Sequence, residues 1–186
     1  METLDILGRA VPEHSRVYLL GHIFASGLPK SAWFDYLYVR PPLYWWVTGA
    51  GSAERIAVRA RQANLTHIAY NPRGGRGILG DRPELMEWDP KDLRAWMGFW
   101  ESRVERVGKV GAMEIFRINR RNGNHPLPTR TMPGTENITA PIDRMLEEGK
   151  NADAEEAIRK GLEKYPGFTN LNERMDRMKG SEAGIL

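Results

Sequence analysis

The chain has 186 residues, 41% hydrophobic and 27% charged, which suffices for one ordinary domain, or a domain with a small annex, around a core of its own. It has no cysteine, so disulfides, thiolate zinc sites and cysteine nucleophiles are excluded together, and its apolar runs fall far short of the roughly 20 residues a membrane span needs. The net charge of +3 is uneven: residues 1–121 carry 18 basic and 13 acidic side chains, residues 122–186 carry 9 and 11, so a basic part precedes a mildly acidic one.

Met1-Glu2-Thr3-Leu4-Asp5 is acidic and no apolar stretch follows it, so no secretory leader is expected there. Leu4, Leu7, Ala10 and Val11 recur as in a short amphipathic helix that Pro12 ends, and Arg16-Val17-Tyr18-Leu19-Leu20-Gly21 reads as a buried strand. Residues 21–51 are irregular and aromatic. Within them residues 33–39 alternate as a strand, and Pro41-Pro42 breaks whatever precedes it. Tyr44, Trp45 and Trp46 cannot all point inward, so an interaction surface is expected there, with at least one ring exposed or covering a partner. The plainer alternative sets Trp45 and Trp46 on opposite sides of a thin sheet.

Residues 52–71 are the most regular stretch. Ser52 suits an N-cap, Ala53, Ile56, Ala57, Ala60 and Ala63 lie on one helical face, and Arg55, Arg59 and Gln62 take the other. Asn64 stops the helix, and His67-Ile68-Ala69-Tyr70-Asn71 follows as a short strand closed by Pro72-Arg73-Gly74-Gly75. A Gly/Arg loop is expected over residues 72–83. Asp89 is an N-cap with Pro90 at the first helical position, and Leu93, Trp96, Met97, Trp100 and Val104 form one face of a helix expected to reach Gly108. A tight turn at Gly111 then leads into a strand over Met113–Ile118, read as an antiparallel edge or hairpin partner.

The segment from Arg120 to Thr139 is rich in Pro, Gly, Asn and Thr, and residues 122–139 read as a linker. Beyond it, residues 140–148 and 153–164 form an antiparallel helix pair joined at Gly149-Lys150-Asn151, and a third helix over residues 170–179 completes an annex of residues 140–186. The expected fold is therefore α/β: a sheet of about four or five mostly parallel strands with flanking helices and an antiparallel edge strand over residues 1–121, followed by a helical annex.

Chemistry is harder to place. If the strands ending near Leu20 and Asn71 are parallel neighbours, Gly21-His22 and residues 71–76 emerge at one edge, near a switch point where α/β sheets hold ligands. His22, Asn71, Arg73, Gly74, Gly75 and Arg76 are the candidate anion-binding residues, with backbone amides of the glycines as donors. The alternative is a plain surface loop, because RGGRG is neither a Walker loop nor a dinucleotide fingerprint. His14, His22, His67 and His125 are too scattered for a metal pair, and no nucleophile elbow surrounds any serine. No metal, no cofactor and no catalytic residue is expected.

Two resemblances bear on function. The order of helix, strand at residues 16–21, aromatic loop, helix at residues 52–64, the phrase Asn64-Leu65-Thr66-His67-Ile68, helix from Asp89 and final strand Ala112-Met113-Glu114-Ile115-Phe116-Arg117-Ile118 resembles the soluble C-terminal domain of polytopic bacterial membrane glycosyltransferases of the dolichyl-phosphate-mannose:protein mannosyltransferase kind. Gly149, Ala154, Gly161 and Pro166, with Ile158, Leu162 and Tyr165 as packing positions, are similar to one tetratricopeptide repeat. The first resemblance implies a non-catalytic recognition or assembly domain on the extracytoplasmic, periplasmic face of the inner membrane. Its partner would be the transmembrane part of the same protein, or another protein, with Tyr44, Trp45 and Trp46 toward a lipid interface, and the catalytic acid would lie in the membrane part. The alternatives are a soluble adaptor, in the cytoplasm, that uses the helical annex, and a weak anion or nucleic-acid binder using Arg73, Arg76, Arg117, Arg120, Arg121 and Arg130; nucleic acid is the partner least expected. On every reading the domain presents surface to its partner, and a deep cleft of converging ionisable side chains would count against that.

Overall fold

The computed structural model describes residues 11–22, 31–35, 39–125 and 132–182. The expected N-terminal helix lies mostly outside them, as do residues 36–38 and 126–131, with Arg130 among these. Five strands, β1 (Arg16–Leu20), β2 (Ser31–Phe34), β3 (His67–Tyr70), β4 (Val104–Val110) and β5 (Met113–Ile118), form one sheet in the order β2-β1-β3-β5-β4. β1 runs parallel to both β2 and β3, while β5 is antiparallel to β3 and to β4. The fold class is thus α/β with a mixed sheet. After β1 the chain adds β2 on one side and β3 on the other, so the C-terminal ends of β1 and β3 form a topological switch point.

The apolar run of β1 follows from its central place: Val17, Tyr18, Leu19 and Leu20 are all buried because both faces of the sheet are covered. Tyr18, Leu20, Ile68, Tyr70 and Phe116 face the larger core. Val17, Leu19, Ala69, Met113 and Ile115 face a smaller one with Val11.

Helices α1 (Pro42–Val47) and α2 (Ala53–Gln62) cover the larger face. Ser52 caps α2 by accepting a hydrogen bond from the amide of Arg55, and Asn64 ends it with φ +54°, a left-handed conformation that Asn tolerates better than most residues. The Arg59 guanidinium reaches back to the carbonyls of Trp46 and Thr48, satisfying the end of α1.

The expected loop after β3 is helical instead. A one-turn helix α3 (Pro72–Gly75) runs into a π-helical turn (Arg76–Gly80), and a 3₁₀ turn follows at Pro83–Leu85. Then α4 (Pro90–Arg103) begins at the Asp89 cap, which accepts from the Lys91 amide at 2.7 Å. α4 stops at Arg103, five residues short of the Gly108 read from the sequence, and Val104 starts β4. Val104, Val107 and Val110 recur every three residues as helical positions do, but pairing with β5 overrides that spacing, with an irregularity between Arg106 and Gly108. β5 is consequently an inner strand, and β4 takes the edge.

The expected linker and separate annex also give way. Helices α5 (Glu136–Glu147), α6 (Asn151–Lys164) and α7 (Thr169–Glu182) follow, so α5 begins four residues inside the presumed linker. Met132 is buried, Trp96 and Trp88 donate their indole N–H groups to the carbonyls of Pro133 and Gly134, and the Tyr165 hydroxyl donates to the carbonyl of Trp88. Ala154, Ile158, Phe168 and Leu171 belong to the same core as the sheet, so residues 132–171 complete the domain rather than hang from it. α7 packs on α6 at Gly161, where a β-carbon would sit 2.7 Å from Leu171 Cδ1. No helix of the described residues is long and apolar enough to cross a membrane.

Candidate functional site

The switch point forms as the strand order requires, and its glycines pack closely, Gly21 and Gly74 on backbone and Gly75 on the Glu136 side chain. A β-carbon on Gly74 would lie 1.8 Å from the carbonyl oxygen of Gly21, and one on Gly75 would lie 2.4 Å from Glu136 Oε1. Only glycine lets α3 come this close to the end of β1. The Gly75 amide is spent on the Asn71 carbonyl at 2.8 Å, and the carbonyl of His22 accepts the amide of Asp35. Asn71 Oδ1 is buried without a hydrogen-bond partner among the described residues. Arg76 turns to Glu147 of α5 in a two-pronged contact at 3.0 and 2.8 Å, which leaves Arg73 as the exposed cation of the predicted set. The structure therefore gathers Gly21, Asn71, Gly74 and Gly75, commits the Gly75 amide to Asn71 and pairs Arg76 with Glu147.

The aromatic trio also divides. Trp46 is a core residue, its indole N–H given to the carbonyl of Ile56 and its ring set edge-on against Tyr18, Trp96 and Phe99. Tyr44 is half-buried beneath the Arg40 guanidinium, 4.1 Å from the ring centre. Trp45 is 68% exposed. All three lie on a helix, so the thin-sheet alternative falls with the helical turn that separates them.

The feature of greatest chemical content lies elsewhere. A cleft of about 1120 Å³ opens between the β4–β5 hairpin and the C-terminal helices. On α5, Glu136, Thr139, Ala140, Asp143 and Glu147 recur at helical steps and form one wall, and Arg174 and Arg177 of α7 stand beside it. Tyr70, Trp100 and Phe116 also border it, almost fully buried, with Trp100 and Phe116 edge to face at 4.8 Å. Arg73, Arg76, Arg106 and Lys109 line it as well.

The cations of this cleft are of two kinds. Arg76 pairs with Glu147, Arg106 with Glu114 at 3.5 Å, and the buried Arg174 holds Asp143 through two bonds at 2.8 and 2.7 Å while donating to the carbonyl of Asn170. Arg73, Lys109 and Arg177 form no ion pair among the described residues and keep their charge for whatever enters.

Two buried carboxyls sit beneath the sheet's C-terminal edge, each bonded to a strand tyrosine. Asp35 takes the Tyr18 hydroxyl at 2.5 Å and the Gly21 amide at 2.7 Å. Burial raises its pKa to about 6 although both bonds favour the ionised form. Glu136 takes the Tyr70 hydroxyl on Oε1 at 2.5 Å. Burial lifts it to about 7 against the pull of that bond, and the charge on Asp35 adds to the rise. The backbone amides of Glu136 and Gly134 also hold this carboxyl down, and the buried indole N–H of Trp100 has no hydrogen-bond partner among the described residues. Glu136 and Trp100 both line the cleft.

His67 is packed, not poised: burial and then the charge of Arg117 lower its pKa, and its Nδ1 lies 2.9 Å from Thr66 Oγ1. No group of three His, Cys, Asp or Glu among the described residues could hold a metal ion. Glu136 was not visible as a site residue in the sequence. Thr135-Glu136 ahead of Ile138, Ile142 and Met145 marks a helix start, which places Glu136 in the first turn, but nothing local says that Tyr70, 66 residues earlier, will cover it. Comparison with protein-family models, with curated proteins and with solved structures gives no match to the chain.

Proposed function

We propose that the chain is a binding domain whose cleft between the β4–β5 hairpin and α5 and α7 receives a small organic anion with a flat apolar body. The observation that carries this reading is a cleft lined by Arg73, Lys109 and Arg177, which form no ion pair among the described residues, over the closely packed rings of Tyr70, Trp100 and Phe116. Aromatic faces bury an apolar ring, a few charged groups at the mouth orient its anionic end, and the volume is slightly above the roughly 300–1,000 Å³ usual for such sites. Binding of 1-anilinonaphthalene-8-sulfonate tests it. Saturable one-to-one binding is expected, at least tenfold weaker in the double variant Arg73→Ala, Arg177→Ala, and falling as salt is raised. Unsaturable binding, or affinity untouched by the double variant, would defeat it.

Exposed Trp45 favours a second, compatible role. A 68% exposed Trp is the kind of side chain that seats on a partner, which agrees with an assembly domain of an extracytoplasmic membrane glycosyltransferase as the resemblance implies. The tetratricopeptide likeness of α6 fits that role, its Gly161 allowing the close helix contact such repeats use. Loss of co-purification with the membrane-embedded part in Trp45→Glu would support this reading, and unaltered co-purification would remove it.

A further inference from the structure

A buried carboxylate is normally matched by a cation, because an uncompensated charge in the interior is costly. Glu136 is 2% exposed and has no such match. From β3 the Tyr70 hydroxyl donates to Oε1 at 2.5 Å, from α3 it meets Gly75, and the charge that acts on it is that of Asp35, itself buried against Tyr18 of β1. The backbone amides of Glu136 and Gly134 favour the ionised form, but burial outweighs them. The nearby arginines are committed to other carboxylates: Arg76 of the π-helical turn to Glu147, Arg174 of α7 to Asp143, Arg106 of β4 to Glu114 of β5, and Arg144 of α5 to Asp81. α6 turns Ala154 and Ile158 inward, and on the 3₁₀ turn Glu84 stays exposed beside Arg82. This unmatched carboxyl borders the cleft that also carries Arg73, Lys109 and Arg177.

We propose that the cleft takes up a proton together with its anion, and that the carboxyl of Glu136 holds that proton. This rests on the reading of the cleft as an anion site and gives that site its regulation, with tight binding in mildly acidic solution and weaker binding in alkaline. The proton comes from the buffer, and the one bond formed is the O–H of the carboxyl. Treated as a cube, a cleft of about 1120 Å³ is roughly 10 Å across, and like charges at that separation in an effective dielectric of about 20 oppose each other about tenfold. The free carboxyl titrates at about 7, so a bound anion moves it roughly one unit higher and the uptake centres just above neutral pH.

Calorimetric titration of the full chain with 1-anilinonaphthalene-8-sulfonate, whose sulfonate stays ionised throughout, counts the proton. At pH 7.5 and low salt, phosphate and Tris buffers differ in ionisation enthalpy, and the difference in heat should correspond to about half a proton taken up per ligand. Affinity should be roughly five- to tenfold weaker at pH 9 than at pH 6. Glu136→Gln should lose both effects, and Asp35→Asn should move the uptake to lower pH because a neighbouring negative charge is gone. Uptake that persists at more than half its size in Glu136→Gln lies on another group, such as His125 of the same cleft, and overturns the assignment. Saturable binding with no proton taken up by the wild type overturns the coupling and leaves the anion cleft standing; if the dye does not bind saturably, both fall.

Discussion

Raising the pH from 4.5 to 8 forces a charge onto Glu136 in the protein interior, and the cost falls on the folded state alone. An unfolded chain ionises this carboxyl near its ordinary value of 4.5, whereas burial holds it at about 7 in the fold. A folded pKa above the unfolded one gives stability that is whole below the unfolded value and is lost as pH climbs through the folded one. The span from 4.5 to about 7 corresponds to roughly 3 kcal/mol. Asp35, raised to about 6, gives up a similar contribution about one pH unit earlier. Glu136→Gln carries a neutral side chain of the same shape at every pH. Urea unfolding followed by tryptophan fluorescence should therefore show wild type and variant alike at pH 4.5. By pH 8 the variant should lead by about 3 kcal/mol, or about 6–12 °C in Tm for a chain of this size. Asp35→Asn should move the window for Glu136 to lower pH, because a neighbouring negative charge is removed. A gap between wild type and Glu136→Gln that does not change with pH, or one that closes as pH rises, would refute the burial of an ionisable carboxyl here.

The tryptophans of α1 separate packing from surface: Trp46→Ala should cost about 3–5 kcal/mol and Trp45→Ala no more than about 0.5 kcal/mol, as read by thermal melts, and equal losses would contradict the assignment of inner and outer ring. Gly74→Ala should cost at least about 3 kcal/mol, since the clash is with the backbone of Gly21, which has no rotamer to change; a variant as stable as wild type in chemical denaturation would mean that α3 does not cross β1 at this point.

Where neighbours in the chain hold the information, the sequence was readable. Ser52 and Asp89 announce their helices because an N-cap acts within three residues of itself, and Asn64 ends α2 by its own backbone preference. The strands at residues 16–20, 67–70 and 113–118 show as short apolar runs bounded by turns, which sufficed for the α/β class. The parallel pairing of β1 and β3, and hence the meeting of Gly21 with residues 71–75, was accessible as a consequence of that class.

What the tertiary structure alone decided depends on partners far along the chain. Val104, Val107 and Val110 suit a helix or a strand, and only β5 selects the strand. Gly74 and Gly75 look like a loose loop until Gly21 and Glu136 are set against them, and the polar residues after Arg120 look like a linker until Trp88 and Trp96 bond to Gly134 and Pro133. The cleft belongs wholly to this second group. Its aromatic rings come from strands and α4, its cations without an ion pair among the described residues from α3, β4 and α7, and its buried carboxyl from α5. Hydrophobic periodicity reports which side of an element is buried, and it is silent on which buried side chain will be left without a partner, because that is fixed by the positions of groups tens of residues apart.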